Sequence, residues 1–295
     1  MVAAWSRREL YQRLRSRAAD FLLRFIYVMA EPRIFSEAEQ RQITRLCAQS
    51  CIMLLQHGAE SALAESVCRR LGLALGMEEM ELALMANAIT ITTISQGNCC
   101  TTVRRNTDRG LNMHVVTEVQ RAMLLVEEGK LDLAAVTVRL AEIQPQRYNR
   151  WLVSLMVGLS CASFARLGQL AHGDPLDLGT LALTFVASGV AMHVRQMLAN
   201  LHFNPFVNFA AAAFVATSIT AQGVLHGWVG NPKLAMAACV LLFVPGYPLI
   251  NAVSDMVKGY INTGISRATF ALLLLLASCG GIVLAMTVWN TWTWL

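Results

Sequence analysis

The second half of the sequence contains five apolar runs that each approach the length of a membrane span. They lie at about 151–170, 178–198, 206–225, 234–257 and 268–289. A helix needs roughly 20 apolar residues to cross the hydrocarbon core of a bilayer. Of the 24 basic and 19 acidic residues in the chain, only eight follow Arg150. The sequence therefore predicts a membrane domain at 146–295 with five transmembrane helices.

Residues 36–145 carry most of the charge and show the patterns of a small soluble domain. The S-x-x-E motif at Ser36 is a capping box that begins a helix, and a second helical pattern follows it. Alternating Ile and Thr residues at 89–92 predict a strand, flanked by short strands at 82–86 and 100–103. Two further helical patterns come next, the second capped by Asp132. We expect an α+β domain with the element order ααβββαα.

Residues 1–35 form a basic extension before this domain. Arginines alternate there with apolar residues such as Trp5, Leu10 and Phe21. The pattern fits an amphipathic helix on the anionic membrane surface. An ordinary solvated tail and a start at Met29, which would make residues 1–28 non-native, are the alternatives. The extension lacks the apolar core and cleavage site of a secretory signal peptide.

Lysine and arginine residues near the ends of the apolar runs predict the orientation in the membrane. They are Arg147, Arg150, Arg195, Lys258 and Arg267 on the side of the soluble domain, against Arg166 and Lys233 on the other. This excess places the soluble domain and the N-terminus in the cytoplasm. Five spans then place the C-terminus in the periplasm, where Trp289, Trp292 and Trp294 would form an aromatic belt.

The fourth apolar run is interrupted by Pro245, Gly246 and Pro248. Proline removes a backbone donor and disfavours a helical residue before it, so we expect Tyr247 outside the helix and Pro248 at the first position of the next one. Gly246 lets the chain bend either way. Irregular backbone at membrane depth lines a watery cavity or is buried in protein. The break thus predicts a transporter site, at which freed backbone N–H groups attract an anion.

Polar side chains near the break are the candidates for binding and coupling. Asn251 and Arg195 are the candidate substrate ligands, and Arg195 could hold a carboxylate through two parallel hydrogen bonds. Asp255 and Lys258 are the candidates for coupling or gating, because ionisable residues inside a membrane are usually functional. The alternatives are that Asp255 and Lys258 lie at the cytoplasmic surface and that Arg195 only sets the orientation.

The soluble domain contains one dense polar cluster in the loop 104–112. A solvated loop is the commoner explanation, and an anion or a partner protein is the functional one. Its members are Arg104, Arg105, Asp108, Arg109 and Asn112. His57, Glu60 and Ser61 look like catalytic residues, but they lie at a corner between two helices, where the helix dipoles also explain His57 and Glu60.

The remaining composition argues against several classes of function. The eight cysteines show neither a disulfide framework nor metal-ligand spacing, and the chain has no phosphate-binding glycine loop. The net charge of +5 is not clustered as on a nucleic-acid-binding surface. We therefore expect no enzyme activity, no cofactor, no metal and no nucleic-acid partner.

Four long segments of the chain resemble the threonine/serine exporter (ThrE) family. They read HGAESALAESVCRRLGLALGM, RRNTDRGLNMHVVTEVQ, IQPQRYNRWLVSLMVGLSCA and LLFVPGYPLINAVSDMVKGYINTG. The resemblance covers about 36–292 and is closest to the YjjP-type branch of bacterial inner-membrane subunits. It implies export of succinate together with a small separate membrane protein of the YjjB type, whereas other branches export threonine and serine. It transfers no functional residue to this chain.

The sequence thus predicts an exporter subunit that accepts succinate or a similar small carboxylate at the broken helix, within the lipid bilayer and with a membrane partner. An exporter of threonine, serine or another amino acid is the first alternative. A membrane-anchored enzyme that hydrolyses a small substrate is the second. A metabolite sensor or scaffold is the third.

Overall fold

The computed structural model describes residues 35–107 and 109–292, except for the side chain of Val224. These residues divide into two compact units. The first contains the described residues before Glu60 together with Leu63–Gln144, and the second contains Glu60–Ala62 together with the residues from Pro145 onward. Both the basic extension, apart from Phe35, and Asp108 lie outside the described residues.

The first unit begins with two helices, α1 (Glu37–Gln56) and α2 (Ser61–Ala74). The predicted capping box is confirmed, since the Ser36 hydroxyl accepts the Glu39 N–H while the Glu39 carboxylate accepts the Ser36 N–H. These bonds satisfy helix N–H groups that have no acceptor within the helix.

Three antiparallel strands follow, β1 (Glu79–Leu84), β2 (Ala88–Ser95) and β3 (Asn98–Arg105), with β2 in the centre of the sheet. Gln96 and Gly97 connect β2 to β3, and both have positive φ, as a two-residue hairpin turn requires. The strands depart from the expected bounds: β1 begins and ends earlier, and β3 continues through Arg105. Arg104 and Arg105 pair across the sheet with Ile89 and Ala88, so the strand extends into the segment expected to be a loop.

Helices α3 (Met113–Glu127) and α4 (Leu133–Glu142) complete the first unit. Asn112 caps α3, and the predicted cap of α4 is confirmed, because the Asp132 carboxylate accepts the N–H of Ala135 at 2.8 Å. Alternate residues of β2 face a core built from apolar positions of the four helices. Its fully buried members include Ile43, Leu54, Val67, Leu71, Ile89, Ile91, Val115, Val119, Val136 and Leu140.

The second unit consists of helices. They are α5 (Arg150–His172), α6 (Leu178–Asn200), α7 (Pro205–Leu225), α8 (Pro232–Val240), α9 (Gly246–Val257) and α10 (Ile261–Val288). Helices α5, α6, α7 and α10 are long and apolar enough to cross a membrane. Helices α8 and α9 meet at a bend of 54° and together are long enough for one further span.

Side-chain caps begin several of these helices. Asn149 caps α5, Asp177 caps α6 and Asn231 caps α8, where Pro232 occupies the first turn. Helix α5 ends at Gly173, whose φ of 73° is the left-handed conformation common after a helix. The ends of the spans are thus set by local residues as well as by hydrophobicity.

Helix α10 begins at Ile261, seven residues before the apolar run that predicted it. Gly264 lies against α9, where an added Cβ would come within 2.7 Å of the Ala252 carbonyl oxygen. Arg267 is therefore part of a helix packed on α9 and does not lie in a loop before the last span. The helix can include this arginine because Asp255 neutralises its charge.

Candidate functional site

The break between α8 and α9 is a tight turn centred on Pro245. Residues Leu241–Phe243 form a turn of 3₁₀ helix, after which Val244 is extended, as the residue before a proline prefers to be. Pro245 has φ −77° and ψ 62°, and the Gly246 N–H donates to the Val244 carbonyl at 2.8 Å. This is an inverse γ-turn. The predicted break in the fourth run is therefore present, with its sharpest point at Val244–Pro245.

Two expectations for the start of α9 are wrong. The helix begins at Gly246, so Tyr247 is helical and Pro248 is the third helical residue, not the first. A proline at this position removes no helical bond, because the first N–H groups of a helix have no acceptor within it. Gly246 does not need its conformational freedom, since its φ is not left-handed and an added Cβ would contact no atom within 4 Å.

The expected group of free backbone donors is also absent from the start of α9. The Gly246 N–H is used by the γ-turn, Pro248 has no N–H, and the Leu249 N–H donates to the Pro245 carbonyl at 3.2 Å. An anion at this helix end would therefore find few backbone donors. Hydrogen bonds to an anion at the break would therefore come from nearby side chains more than from the backbone.

Arg195 lies in the last third of α6, on the face that packs into the bundle. The preceding residues on that face, Thr184, Ser188 and Ala191, are completely buried. The Arg195 guanidinium carbon lies 4.0 Å from the centre of the Phe209 ring of α7, a cation–π contact. No carboxylate pairs with Arg195 within residues 35–107 and 109–292.

Packing connects Arg195 to the break. Phe209, whose ring contacts the Arg195 guanidinium, belongs to the same buried cluster as Phe243. Phe243 is the residue immediately before Val244. Ala191, one turn before Arg195, is also in this cluster. His193 faces elsewhere, since its ring stacks on Trp151 of α5 at 4.3 Å. The fold therefore brings Arg195 and the break into one region.

Asp255 lies at the other end of α9 and is completely buried. Its carboxylate accepts the Ser61 N–H at 2.9 Å, the Ser61 hydroxyl at 3.0 Å and the Arg267 guanidinium at 2.7 Å. Ser61 is the first residue of α2, so a carboxylate there also suits the positive end of the helix dipole. These contacts make Asp255 a paired charge among residues of the second unit.

Lys258 forms an ion pair with Glu60 beside this carboxylate. The hydrogen bond from Lys258 lowers the pKa of Glu60, and partial burial opposes that shift. Asn251 lies one turn before Asp255 on the same buried face of α9, with 4% of its surface exposed. The structure thus separates the expected site into two groups, with Arg195 near the break and Asp255 and Lys258 in an ion-pair cluster.

The described members of the polar cluster expected in the soluble domain belong to different elements. Arg104 and Arg105 lie in β3, and Asn112 is the N-cap of α3. The Arg109 backbone N–H donates to the Gln56 carbonyl, which fixes the loop onto the end of α1. His57 contacts the Met53 carbonyl at 2.8 Å, whereas the Ser61 hydroxyl donates to Asp255, so the two are not a nucleophile and its base.

Sequence reasoning missed the partners of Asp255. Arg267 was counted only among the charges that predict the orientation, and Ser61 was considered only beside His57. One signal was available: Asp255 lies four residues before Gly259 and Arg267 seven residues after Tyr260, so both are within two helical turns of the connection between two adjacent helices, where opposite charges can pair.

A second carboxylate that the sequence did not single out organises the turns where α6 and α8 begin. Asp177 accepts backbone N–H groups from Gly179 at 2.9 Å, Thr180 at 3.2 Å and Gly230 at 2.8 Å. The hydrogen bond from the Thr180 hydroxyl is the largest cause of the lowered pKa of Asp177. Among the described residues, no three His, Cys, Asp or Glu side chains are placed to bind a metal.

Comparison with known proteins agrees with the membrane fold. The ThrE family profile, described as "Putative threonine/serine exporter", matches residues 45–289. The protein named "Probable succinate transporter subunit YjjP" in Escherichia coli K12 is 51% identical over 87% of this chain and 98% of its own length. The protein of the same name in Klebsiella aerogenes is 51% identical over 88% of this chain and 98% of its own.

A more distant relative is a longer protein. It is the "Probable threonine/serine exporter" of Mycobacterium tuberculosis, which is 24% identical over 67% of this chain and 38% of its own length. No solved structure matches the chain. The apolar helices and the relatives fit a multi-pass protein of the inner membrane, and the name given to the two nearer relatives describes a subunit. The family profile covers most of the sequence, and the chain belongs to the threonine/serine exporter (ThrE) family.

Proposed function

We propose that this chain is the inner-membrane subunit of an exporter that carries succinate, or a similar small dicarboxylate, together with a small YjjB-type membrane partner. Two relatives that align over nearly their whole length are named as succinate transporter subunits. The observation that carries the proposal is Arg195, a half-buried arginine in an apolar helix that lacks a carboxylate partner among residues 35–107 and 109–292.

An unpaired arginine among membrane helices has an electrostatic cost, since buried charges are normally paired. A carboxylate from the substrate would supply the missing partner, and the planar guanidinium could hold it with two hydrogen bonds. The break at Pro245, Gly246 and Pro248 is packed near this arginine through Phe243 and Phe209. We propose that the break and Asn251 form the remaining part of the substrate site.

The proposed orientation places the N-terminus in the cytoplasm and the C-terminus in the periplasm. In this arrangement, residues 36–145 are a cytoplasmic α+β domain of order ααβββαα, and residues 146–295 cross the membrane five times. The fourth span is the pair α8 and α9. The proposal is supported by the excess of lysine and arginine at the span ends on the side of the soluble domain.

Asp255 and Lys258 are the proposed gating residues. The Asp255–Arg267 pair joins the last turn of α9 to α10, and the Lys258–Glu60 pair joins the end of α9 to the residue before α2. Any movement of α9 that opens a path beside the break must break these contacts or carry their partners along. The cluster would therefore set how easily the second half of the broken span moves.

Export of threonine or serine is the second candidate. The family description and the Mycobacterium tuberculosis relative favour it. An amino acid also carries a carboxylate that could bind Arg195, so the arginine alone does not separate the two substrates. The ammonium group would need an acceptor in the site, which a dicarboxylate would not.

Efflux of labelled substrates tests the proposal directly. Vesicles would contain this chain, its YjjB-type partner, both or neither, and each set would be loaded with labelled succinate or labelled threonine. We expect succinate efflux only where both proteins are present. Faster efflux of threonine than of succinate would select the second candidate, and efflux of neither substrate would overturn the exporter assignment.

Two substitutions test the assigned residues in the same vesicles. Asn251→Ala removes a proposed substrate contact, and Asp255→Asn alters the proposed gate. We expect both to slow succinate efflux. If both variants export at the wild-type rate, then neither residue belongs to the transport site.

A further inference from the structure

Helix α7 carries three polar side chains whose buried atoms have no hydrogen-bond partner among the described residues. The atoms are Oγ1 of Thr217, Oγ of Ser218 and Nε2 of Gln222. Thr217 is almost completely buried, with 1% of its surface exposed. Ser218 and Gln222 lie one turn apart on one face of α7, and Thr217 lies about 100° around the helix from Ser218.

Other hydroxyls in these helices are satisfied locally. Thr184, Ser188, Thr220 and Ser278 each donate to the carbonyl one turn earlier, at distances from 2.6 to 3.2 Å. This is the usual way in which serine and threonine are accommodated in a membrane helix. Thr217 and Ser218 depart from it, although Thr220 on the same helix does not.

Unsatisfied polar groups in an apolar helix need an explanation, because the hydrocarbon core supplies no water to pair with them. Two hydroxyls and an amide N–H₂ group have in common that each can donate a hydrogen bond. A ligand that suits three donors is rich in acceptors, and a carboxylate is the most direct example. We propose that Thr217, Ser218 and Gln222 form a second, uncharged carboxylate subsite on the substrate path, an inference that rests on the proposed function.

The position of this subsite gives the path a direction. Phe209, which contacts Arg195, precedes Thr217–Gln222 by 8 to 13 residues, or about 12–20 Å along α7. In the proposed orientation, α7 runs from the cytoplasmic side to the periplasmic side. The substrate would thus leave a charged site for neutral donors, which hold an anion less tightly and favour its release.

The matched pair Thr217→Val and Thr220→Val tests the subsite. Both residues are 1% exposed, lie on α7 and have the shape of valine, but only the Thr220 hydroxyl is hydrogen-bonded. We expect Thr217→Val to keep its apparent Tm or raise it by about 2 °C, because an unpaired buried hydroxyl is removed. The same variant should slow succinate efflux on the order of tenfold, the loss of one hydrogen bond to a charged group. Thr220→Val should export at the wild-type rate.

The outcomes separate the alternatives. Unchanged efflux in both Thr217→Val and Ser218→Ala would overturn the subsite. A decrease in both Tm and efflux in Thr217→Val would also overturn it, because it would show that the Thr217 hydroxyl has a structural role. A reduced yield of co-purified membrane partner would show that these groups bind the partner, and would overturn the proposal too. If the wild-type complex exports a different carboxylate, the succinate assignment fails, but the subsite stands when Thr217→Val slows export of that carboxylate.

Discussion

Asp255 and Arg195 are both charged side chains of the apolar second unit, but their surroundings are opposite. Asp255 accepts two hydrogen bonds from Ser61 and pairs with Arg267 at 2.7 Å. Arg195 contacts the Phe209 ring and pairs with no carboxylate among residues 35–107 and 109–292. One charge is neutralised within the second unit, and the other has no carboxylate partner among the described residues.

This difference separates a structural charge from a binding charge. A buried ion pair is costly to break but contributes little to recognition, because both members are already satisfied. An arginine held only by an aromatic ring keeps its hydrogen-bond donors available, and the ring contact fixes its position. Substitution of Asp255 should therefore mainly affect stability and the movement of α9, whereas substitution of Arg195 should mainly affect substrate binding and export without a large loss of stability.

The largest expected effect is the loss of stability in Asp255→Ala. This substitution removes the carboxylate that pairs with the partly buried Arg267 and accepts both Ser61 donors. We expect the free energy of unfolding to fall by about 3–5 kcal/mol, which corresponds to a decrease in apparent Tm on the order of 10 °C. Thermal unfolding of the purified protein would measure the change.

A double-mutant cycle controls for general damage at this site. Asp255→Ala combined with Arg267→Met removes both charges, so the loss should be smaller than the sum of the two single losses. Strictly additive losses would show that the two side chains do not act as a pair.

The next effect in size is the loss of export in Arg195→Gln. Removal of two hydrogen bonds to a carboxylate should lower succinate efflux on the order of 100-fold. Apparent Tm should change by no more than about 2 °C, because Arg195 forms no ion pair within residues 35–107 and 109–292 that the substitution would break. Arg195→Lys keeps the charge but not the paired geometry, and about tenfold slower efflux is expected. A large fall in Tm with normal efflux would reverse the roles given to Arg195 and Asp255.

The smallest effect belongs to the Glu60–Lys258 pair, which is partly exposed. Its contribution should be below about 1 kcal/mol and should weaken with added salt. Because the folded pKa of Glu60 lies below 4.5, the stabilisation is present at neutral pH and is lost as the pH falls through the folded value. Glu60→Gln should therefore lower Tm slightly at pH 7 and should converge with wild type in acid. Equal differences at both pH values would exclude this ion pair as the cause.

Much of the fold follows from local patterns in the sequence. Ser36 and Asp132 cap the helices that they were expected to cap, and Gln96 and Gly97 form a tight turn between two strands. These features depend on residues close together in the chain. Membrane spans are similarly local, since hydrophobic length alone decides whether a helix can cross a bilayer.

The site was less predictable because its contacts join distant residues. Asp255 meets Ser61 across 194 positions, and no periodic pattern connects them. The break was correctly placed, but its hydrogen bonds depend on the backbone angles of Pro245, which the residue type only partly restricts. Arg195 was predicted as a ligand, although its lack of a partner became visible only when every described carboxylate had been placed.

Equilibrium binding of labelled succinate to the purified complex, wild type against Arg195→Gln, tests the central claim most directly. The claim is that Arg195 has no carboxylate partner within residues 35–107 and 109–292 because the transported carboxylate is its partner. We predict that succinate binds the wild-type complex and that Arg195→Gln weakens binding on the order of 100-fold while the complex remains intact. Equal succinate affinity in the two complexes would contradict the account.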